Sequence, residues 1–305
     1  MPNSLGNTPG TLIAQRALET LLEEFSVIKQ VVSDFSTETA LLNQQISVKL
    51  PSAFGAAPDW SAATGYVAQN ANAVDRPLTI SRHVHATYGF SDSERSSTSI
   101  QLIETFAAAA AQSIGLAVVT DLFKLVNAAN FPNSSVATAA NFNRAALIAA
   151  GKALSTRKVP QGNRFAVIHN DLTPALLADT TVVANPASPS DAVKSGRLGQ
   201  IHGFEVHEYA QFAAGTGSGG SVNCRGIAAS PSALLLATRL PAGPEASDFP
   251  GRLEVVTEPK TGLSLQVRTW YNANAGMEYR SYGLMFGVAV GIPDALQRLV
   301  ITADV

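Results

Sequence analysis

The sequence predicts an α+β fold, and three observations carry that prediction. Residues 96–130 read as one long helix, the stretch from Arg252 onward alternates at strand period, and between them a mixed segment passes from helix to strand and back. With 305 residues the chain is long enough to bury a large core in one domain or two. Only 14% of its residues are charged and the formal net charge is −2. No block of like charge is present, so the electrostatic footprint of sequence-specific nucleic-acid binding is missing. The low charge points to a surface covered in large part by partners. The single cysteine, Cys224, excludes an intramolecular disulfide framework and fits a reducing compartment.

Taken in order, residues 1–10 are rich in Gly, Pro, Asn and Ser and are expected to form an extended arm without the pattern of a signal peptide. Residues 11–32 carry a helical pattern with an irregular apolar face of Leu12, Ala17, Leu21, Phe25, Ile28 and Val32. That helix precedes the main body and is not required in its core. In ISVKLP, Ile46, Val48 and Leu50 alternate with polar residues as in a strand. Residues 51–77 have no sustained period and are rich in Ala, Gly, Asn and Pro, and a second strand pattern follows over 78–90. Two strands around a long irregular excursion describe a projecting hairpin, and loops of this length are commonly functional. Trp60, Tyr66 and Val67 give it apolar side chains that need cover, which a neighbouring chain would supply.

Ser91 and Glu94 stand at capping-box spacing, as do Thr98 and Gln101, and lead into the long helix. Its apolar stripe runs through Ile103, Phe106, Ala110, Ile114, Val118 and Leu122, interrupted by no Pro and by one Gly, Gly115. It would span roughly 45–50 Å, and Ala107–Ala111 would let it lie close along a sheet. Gln112 and Ser113 break its apolar run below membrane-spanning length. Asn141 or Asn143 is expected to cap a helix through Leu154, Phe165–Ile168 to form a buried strand, and Thr173-Pro174 to open a short helix. GQIHGFEVHEYAQF reads as a strand bent at Gly203, and SPSALLLATRL as a buried segment. LEVVTE, LSLQVRTWYN, MEYRSYGLMFGVAVGI and LQRLVITA then form a C-terminal antiparallel sheet.

Candidate chemistry is thin. His83 and His85, two apart in a strand, share a face and would suit a metal, but no cluster of further ligands lies close in sequence. His202 and His207 would point to opposite faces of a regular strand. GTGSGG at 215–220 lacks the Lys-Ser/Thr of a phosphate loop. Cys224 beside Arg225 has no identifiable base partner. No catalytic, cofactor-binding or metal site is expected, and the reading is of a non-enzyme.

RALETLLEEFSVIKQVVSDFS followed by ISVKLP resembles the opening of the P22-like coat proteins. FNRAALIAAGKALSTRKVPQGNRFAVIHNDLTPALL and GQIHGFEVHEYAQF resemble parts of their axial domain. On these stretches and their order the whole chain resembles a tailed-bacteriophage major capsid protein of the HK97 fold. The resemblance implies an N-terminal arm and helix at 1–45 and an extended loop with flanking strands at 46–90. A spine helix of the peripheral domain follows at 91–132, an α/β axial domain at 133–240, and the peripheral-domain antiparallel sheet at 241–305. It implies self-assembly into hexamers and pentamers of an icosahedral virion shell around double-stranded DNA, put together in the bacterial cytoplasm. Its implied partners are copies of itself, a portal, a separate scaffolding protein, a decoration protein and non-specifically held DNA, with no membrane. Residues 51–77 contain no lysine, so a lysine-based covalent crosslink from this loop is not expected, and the few residues before the first helix leave no room for a scaffolding segment. An encapsulin-type compartment shell has the same fold and is the alternative, and a metal enzyme built on His83 and His85 is a third reading.

Overall fold

The computed structural model describes residues 15–19, 21, 25–51, 57, 59–66, 73–97, 100–138, 141–178, 199–210, 224–243, 251–257 and 263–302. The expected arm at 1–10, the Thr98 capping box, the apolar Val67 and the 215–220 loop lie outside these residues.

A 25-residue helix, α3 (Ile100–Lys124), crosses one face of a six-stranded sheet. It is preceded by α2 (Asp92–Ser97), whose start is the predicted capping box: Glu94 N donates to Ser91 Oγ at 3.3 Å and Ser91 N donates to Glu94 Oε2 at 2.9 Å. The helix ends earlier than its sequence pattern. Beyond Lys124 the Asn130 side chain donates to Leu125 O and Asn127 Oδ1 accepts from Asn130 N, so side-chain amides replace the helical ladder. At 1.5 Å per residue α3 is about 37 Å long. Ala110, Ile114, Val118 and Leu122 of the predicted stripe are buried. The run Phe106–Lys124 does reach the length and apolarity of a membrane span, contrary to the sequence expectation, with a mean hydropathy of 1.6. It belongs to the core instead, because its Ala, Ile, Val and Leu face lies against the sheet.

That sheet is built around one long strand, β13 (Met277–Val290). Tyr282 pairs with Val267 of β12 (Ser264–Asn272) on one side and with Ala86 of β4 (Arg82–Ser91) on the other. Met285 pairs with Arg239 of β10 (Leu234–Pro241) and with His83 of β4. Strands β12 and β10 therefore occupy successive stretches of the same edge of β13. Strand β11 (Gly251–Thr257) closes the sheet beyond β12, and β1 (Val32–Ala40) pairs in parallel with β10.

Strand β1 corrects the reading of residues 11–32 as one helix ahead of the core. Residues 15–19 are helical, a four-residue helix α1 (Val27–Gln30) follows, and the chain becomes a strand at Val32. Leu18, Leu21, Phe25, Val27 and Ile28 are all buried in the main core. At about 1.5–3 kcal/mol for each fully buried side chain of this kind, the segment is an integral part of that core. Its burial depends on contacts with residues far along the chain, to which local periodicity is blind.

The projecting hairpin is present as β2 (Gln45–Pro51) antiparallel to β3 (Ala73–Thr79). The second strand pattern divides at Ile80–Ser81, so that β3 belongs to the hairpin and β4 to the main sheet. Leu50, Leu78 and Ile80 pack on Leu235, Ala237 and Met285, on the sheet face opposite α3.

A second six-stranded sheet has the order β5 (Ser134–Thr138), β14 (Leu296–Thr302), β9 (Cys224–Ala229), β6 (Arg164–Ile168), β8 (Phe204–Glu208), β7 (Gln200–Ile201). Helix α4 (Arg144–Thr156) is capped by Asn143 as predicted, its side chain accepting from Ala145 N and Ala146 N, and α5 (Thr173–Ala178) starts at Thr173-Pro174. Two strands cross the boundaries expected from the sequence. Strand β10, placed with the 133–240 segment, pairs in the helix-backed sheet, and β14, placed with the C-terminal strands, pairs in the second. Their edges are satisfied by partners remote in sequence, so chain order does not sort them.

Candidate functional site

The hairpin carries the first candidate surface. Seven residues per strand at about 3.3 Å each make an arm of about 23 Å. Within the excursion Ser61–Gly65 forms a tight turn: Gly65 N donates to Ser61 O at 2.8 Å, Ser61 Oγ lies 2.6 Å from Thr64 Oγ1, and Gly65 has φ +63°. Trp60 and Tyr66 flank the turn with ring centroids 6.5 Å apart and are 62% and 95% exposed. Leu41 and Leu42, in the β1–β2 connection at the base of the hairpin, are 77% and 53% exposed. Large apolar groups left outside any core of their own mark an interaction surface. The base is fixed rigidly, because the position a Cβ would take on Gly287 lies 2.1 Å from Thr79 O. Only glycine allows the hairpin backbone to lie so close to β13.

The second surface is the part of the main sheet that neither α3 nor the hairpin covers. His83, His85 and Thr87 of β4 lie beside Gln266, Arg268 and Trp270 of β12 around an open groove of about 560 Å³. The two histidines share a face as predicted, with ring centroids 6.3 Å apart. Burial, then the charges of His85 and Arg268, lower the pKa of His83. Arg268 Nε donates to Gln266 Oε1 at 2.9 Å, and Gln266 Nε2 donates to Pro241 O at 2.8 Å. Among the described residues no group of three His, Cys, Asp or Glu side chains converges as a metal site. The groove brings together imidazole, guanidinium, indole and hydroxyl groups, and Thr87 Oγ1 donates to Ser281 Oγ at 2.8 Å.

The other histidines are separated by a turn. The strand expected to bend at Gly203 is a hairpin, with Ile201 paired to Phe204 and both central residues in the left-handed region, His202 at φ 49° and Gly203 at φ 79°. This is the requirement of a two-residue primed turn. His202 stands on the turn, whereas His207 lies in β8 with its Nδ1 3.0 Å from Ser26 Oγ. Cys224 is buried, its Sγ donating to Gly226 O at 3.4 Å, and burial raises its pKa, so it is no activated thiol.

Three features of these surfaces were not read from the sequence: the exposed Leu41–Leu42 pair, the contribution of Arg268 and Trp270 to the histidine groove, and the contact of Ser26 with His207. Leucines at a turn are a local signal that was available. The other two join residues more than 180 positions apart and leave none.

No protein-family model matches the sequence, and no curated protein matches it. Solved structures do match in shape. The capsid of Ralstonia phage GP4 aligns over 93% of this chain and 89% of its own with a TM-score of 0.56 at 12% identity. The capsid of cyanophage P-SCSP1u aligns over 90% and 87% with 0.55 at 11% identity. The mature capsid of bacteriophage PhiM1 aligns over 88% and 85% with 0.54 at 14% identity. The chain has the α+β fold of HK97-like phage capsid structures.

Proposed function

We propose that the chain is a major capsid protein of a tailed bacteriophage, of the P22-like coat group, and that it acts by assembly without catalysis. Copies associate into hexamers and pentamers that close as an icosahedral shell around double-stranded DNA. The observation that carries this reading is the hairpin with exposed Trp60 and Tyr66 at its tip on a fold matched along nearly its whole length by phage capsids. The tip needs burial that its own chain does not provide, and a second copy supplies it. Contacts of this head-to-tail kind close into rings, and the shell is stabilised by many repeated interfaces. In this reading the helix-backed sheet is the peripheral part, lent β10 by the middle of the chain. The second sheet is the axial part near the capsomer axes, completed by β14.

The working location is the virion shell, assembled in the host cytoplasm with a portal and a separate scaffolding protein. DNA contact is weak and without sequence preference, in keeping with the net charge of −2. Lys49 sits in β2 opposite Asp75 at the hairpin stem, which supports the expectation that no lysine crosslink is made from the loop. Electron microscopy with mass determination of the chain, expressed alone and beside a scaffolding protein, tests the proposal. Closed shells several capsomers across are expected. A stable monomer under every condition would overturn the proposal, and shells filled with enzyme instead of nucleic acid would favour the compartment reading.

A further inference from the structure

The groove on the main sheet has a charge pattern that follows from strand alternation. Side chains point in turn to the two faces, and strands β4, β11, β12 and β13 contain two carboxylates, Glu254 and Glu278. Both lie on the face toward α3, where each arginine of these strands meets an acid: Arg82 meets Asp121, Arg252 meets Glu254 and Arg280 meets Glu278. The opposite face holds Arg268, His83 and His85 and no carboxylate of these strands. Arg268 is bonded to neutral oxygens instead, from Nε to Gln266 Oε1 at 2.9 Å and from Nη2 to Ala242 O at 3.3 Å. Of its five N–H groups, both on Nη1 and one on Nη2 remain without a hydrogen bond to a described residue. Gln266 is 3% exposed and is fixed by its own bond to Pro241 O, so Arg268 is held in place before any ligand arrives. Ser281, also buried, accepts from Thr87 Oγ1 and keeps its own proton to give. Gly283 leaves the floor low, since a Cβ there would lie 3.7 Å from Pro241 and 3.8 Å from His83 Nε2.

We propose that this groove binds a phosphate monoester. Three N–H groups of Arg268, two imidazoles and the Ser281 hydroxyl are more donors than the about four lone-pair sites of a carboxylate accept, and the three terminal oxygens of a phosphate monoester match them better. The volume of about 560 Å³ exceeds the needs of a bare anion and falls in the range of small-molecule sites, so the esterified group is held there too. Trp270 and the exposed Leu253 and Val255 of β11 give that group an apolar wall on the same face. After burial, the charges of His85 and Arg268 are what lower the pKa of His83, so the groove is positive where the anion sits. The site belongs to the single chain and does not depend on shell assembly.

Phenyl phosphate titrated into the full chain at pH 7, followed through the ring resonances of the five histidines, tests the proposal. Saturable shifts at His83 and His85 are expected, with His169, His202 and His207 unmoved. By calorimetry Arg268→Gln should weaken binding about tenfold, the effect of losing one hydrogen bond to a charged group. His83→Gln with His85→Gln, both at exposed positions, should weaken it as well, and Lys152→Gln, on α4, should bind like the wild type. Benzoate should bind about tenfold more weakly than phenyl phosphate, for want of the further acceptor oxygen. The absence of saturable shifts, or shifts shared evenly by all the histidines, would overturn the proposal. So would wild-type affinity in Arg268→Gln or in the double histidine variant, or benzoate bound as tightly as the phosphate.

Discussion

A Cβ placed on Gly115 would lie 2.5 Å from Cδ2 of Phe25 and 3.1 Å from Cγ of Leu21. The one glycine in α3 is the place where the N-terminal segment crosses the long helix. In an exposed helix Gly115→Ala would gain about 1 kcal/mol from propensity. Here overpacking opposes that gain, and the expected outcome is a net loss of about 1–2 kcal/mol in denaturant unfolding of the unassembled chain. Phe25→Leu should cost little alone and recover part of the loss in the double variant, a coupling that a double-mutant cycle measures. Strict additivity of the two substitutions would contradict the contact.

Gly287 is tighter still, because its neighbour is the backbone oxygen of Thr79 rather than a side chain that can turn away. Gly287→Ala is expected to cost more than about 2 kcal/mol. It should raise protease cleavage within the hairpin first, since the stem is the movable partner and β13 is held by strands on both edges.

Trp60 and Tyr66 rest on no core of their own chain, so Trp60→Ser with Tyr66→Ser should leave the unfolding free energy of the unassembled chain within about 0.5 kcal/mol of wild type. If the tip is an assembly contact, shell formation followed by light scattering is lost in the same variant. A drop in stability together with normal shells would reverse both halves of the prediction.

His83 and His207 both have lowered pKa values, chiefly through burial. Between the folded value and the ordinary 6.5 the unfolded chain binds more protons, so stability rises with pH across that window. It is complete above about 6.5 and is lost as pH falls from there. Glu94, held below its ordinary 4.5 by the Ser91 cap, adds a further loss at lower pH. Denaturant midpoints measured from pH 8 to 4 should fall in these two stages, and His207→Asn should remove part of the first.

Much of the architecture was legible because it rests on local signals. The Ser91–Glu94 box, the Asn143 cap, the apolar stripe of α3, the strands of the C-terminal region and the hairpin around 51–77 each follow from spacing within about a dozen residues. The same signals misread residues 11–32 as one helix, a pattern that gives way to a strand at Val32 because β10 offers an unpaired edge some 200 positions later. The His202–Gly203 turn was read as a bend, since a Gly after a His marks positive φ without saying how far the chain reverses.

The sequence by itself determined the class of fold, the place of the long helix and the shared face of His83 and His85. These are consequences of side-chain period, capping chemistry and residue type, all of which act over short separations. The tertiary structure alone decided that β10 and β14 exchange sheets, that Phe25 packs on Gly115, that Arg268 and Trp270 complete the histidine groove and that Ser26 is tied to His207. Each of these is a pairing between distant segments, settled by which edges and apolar faces remain unsatisfied once the local elements have formed.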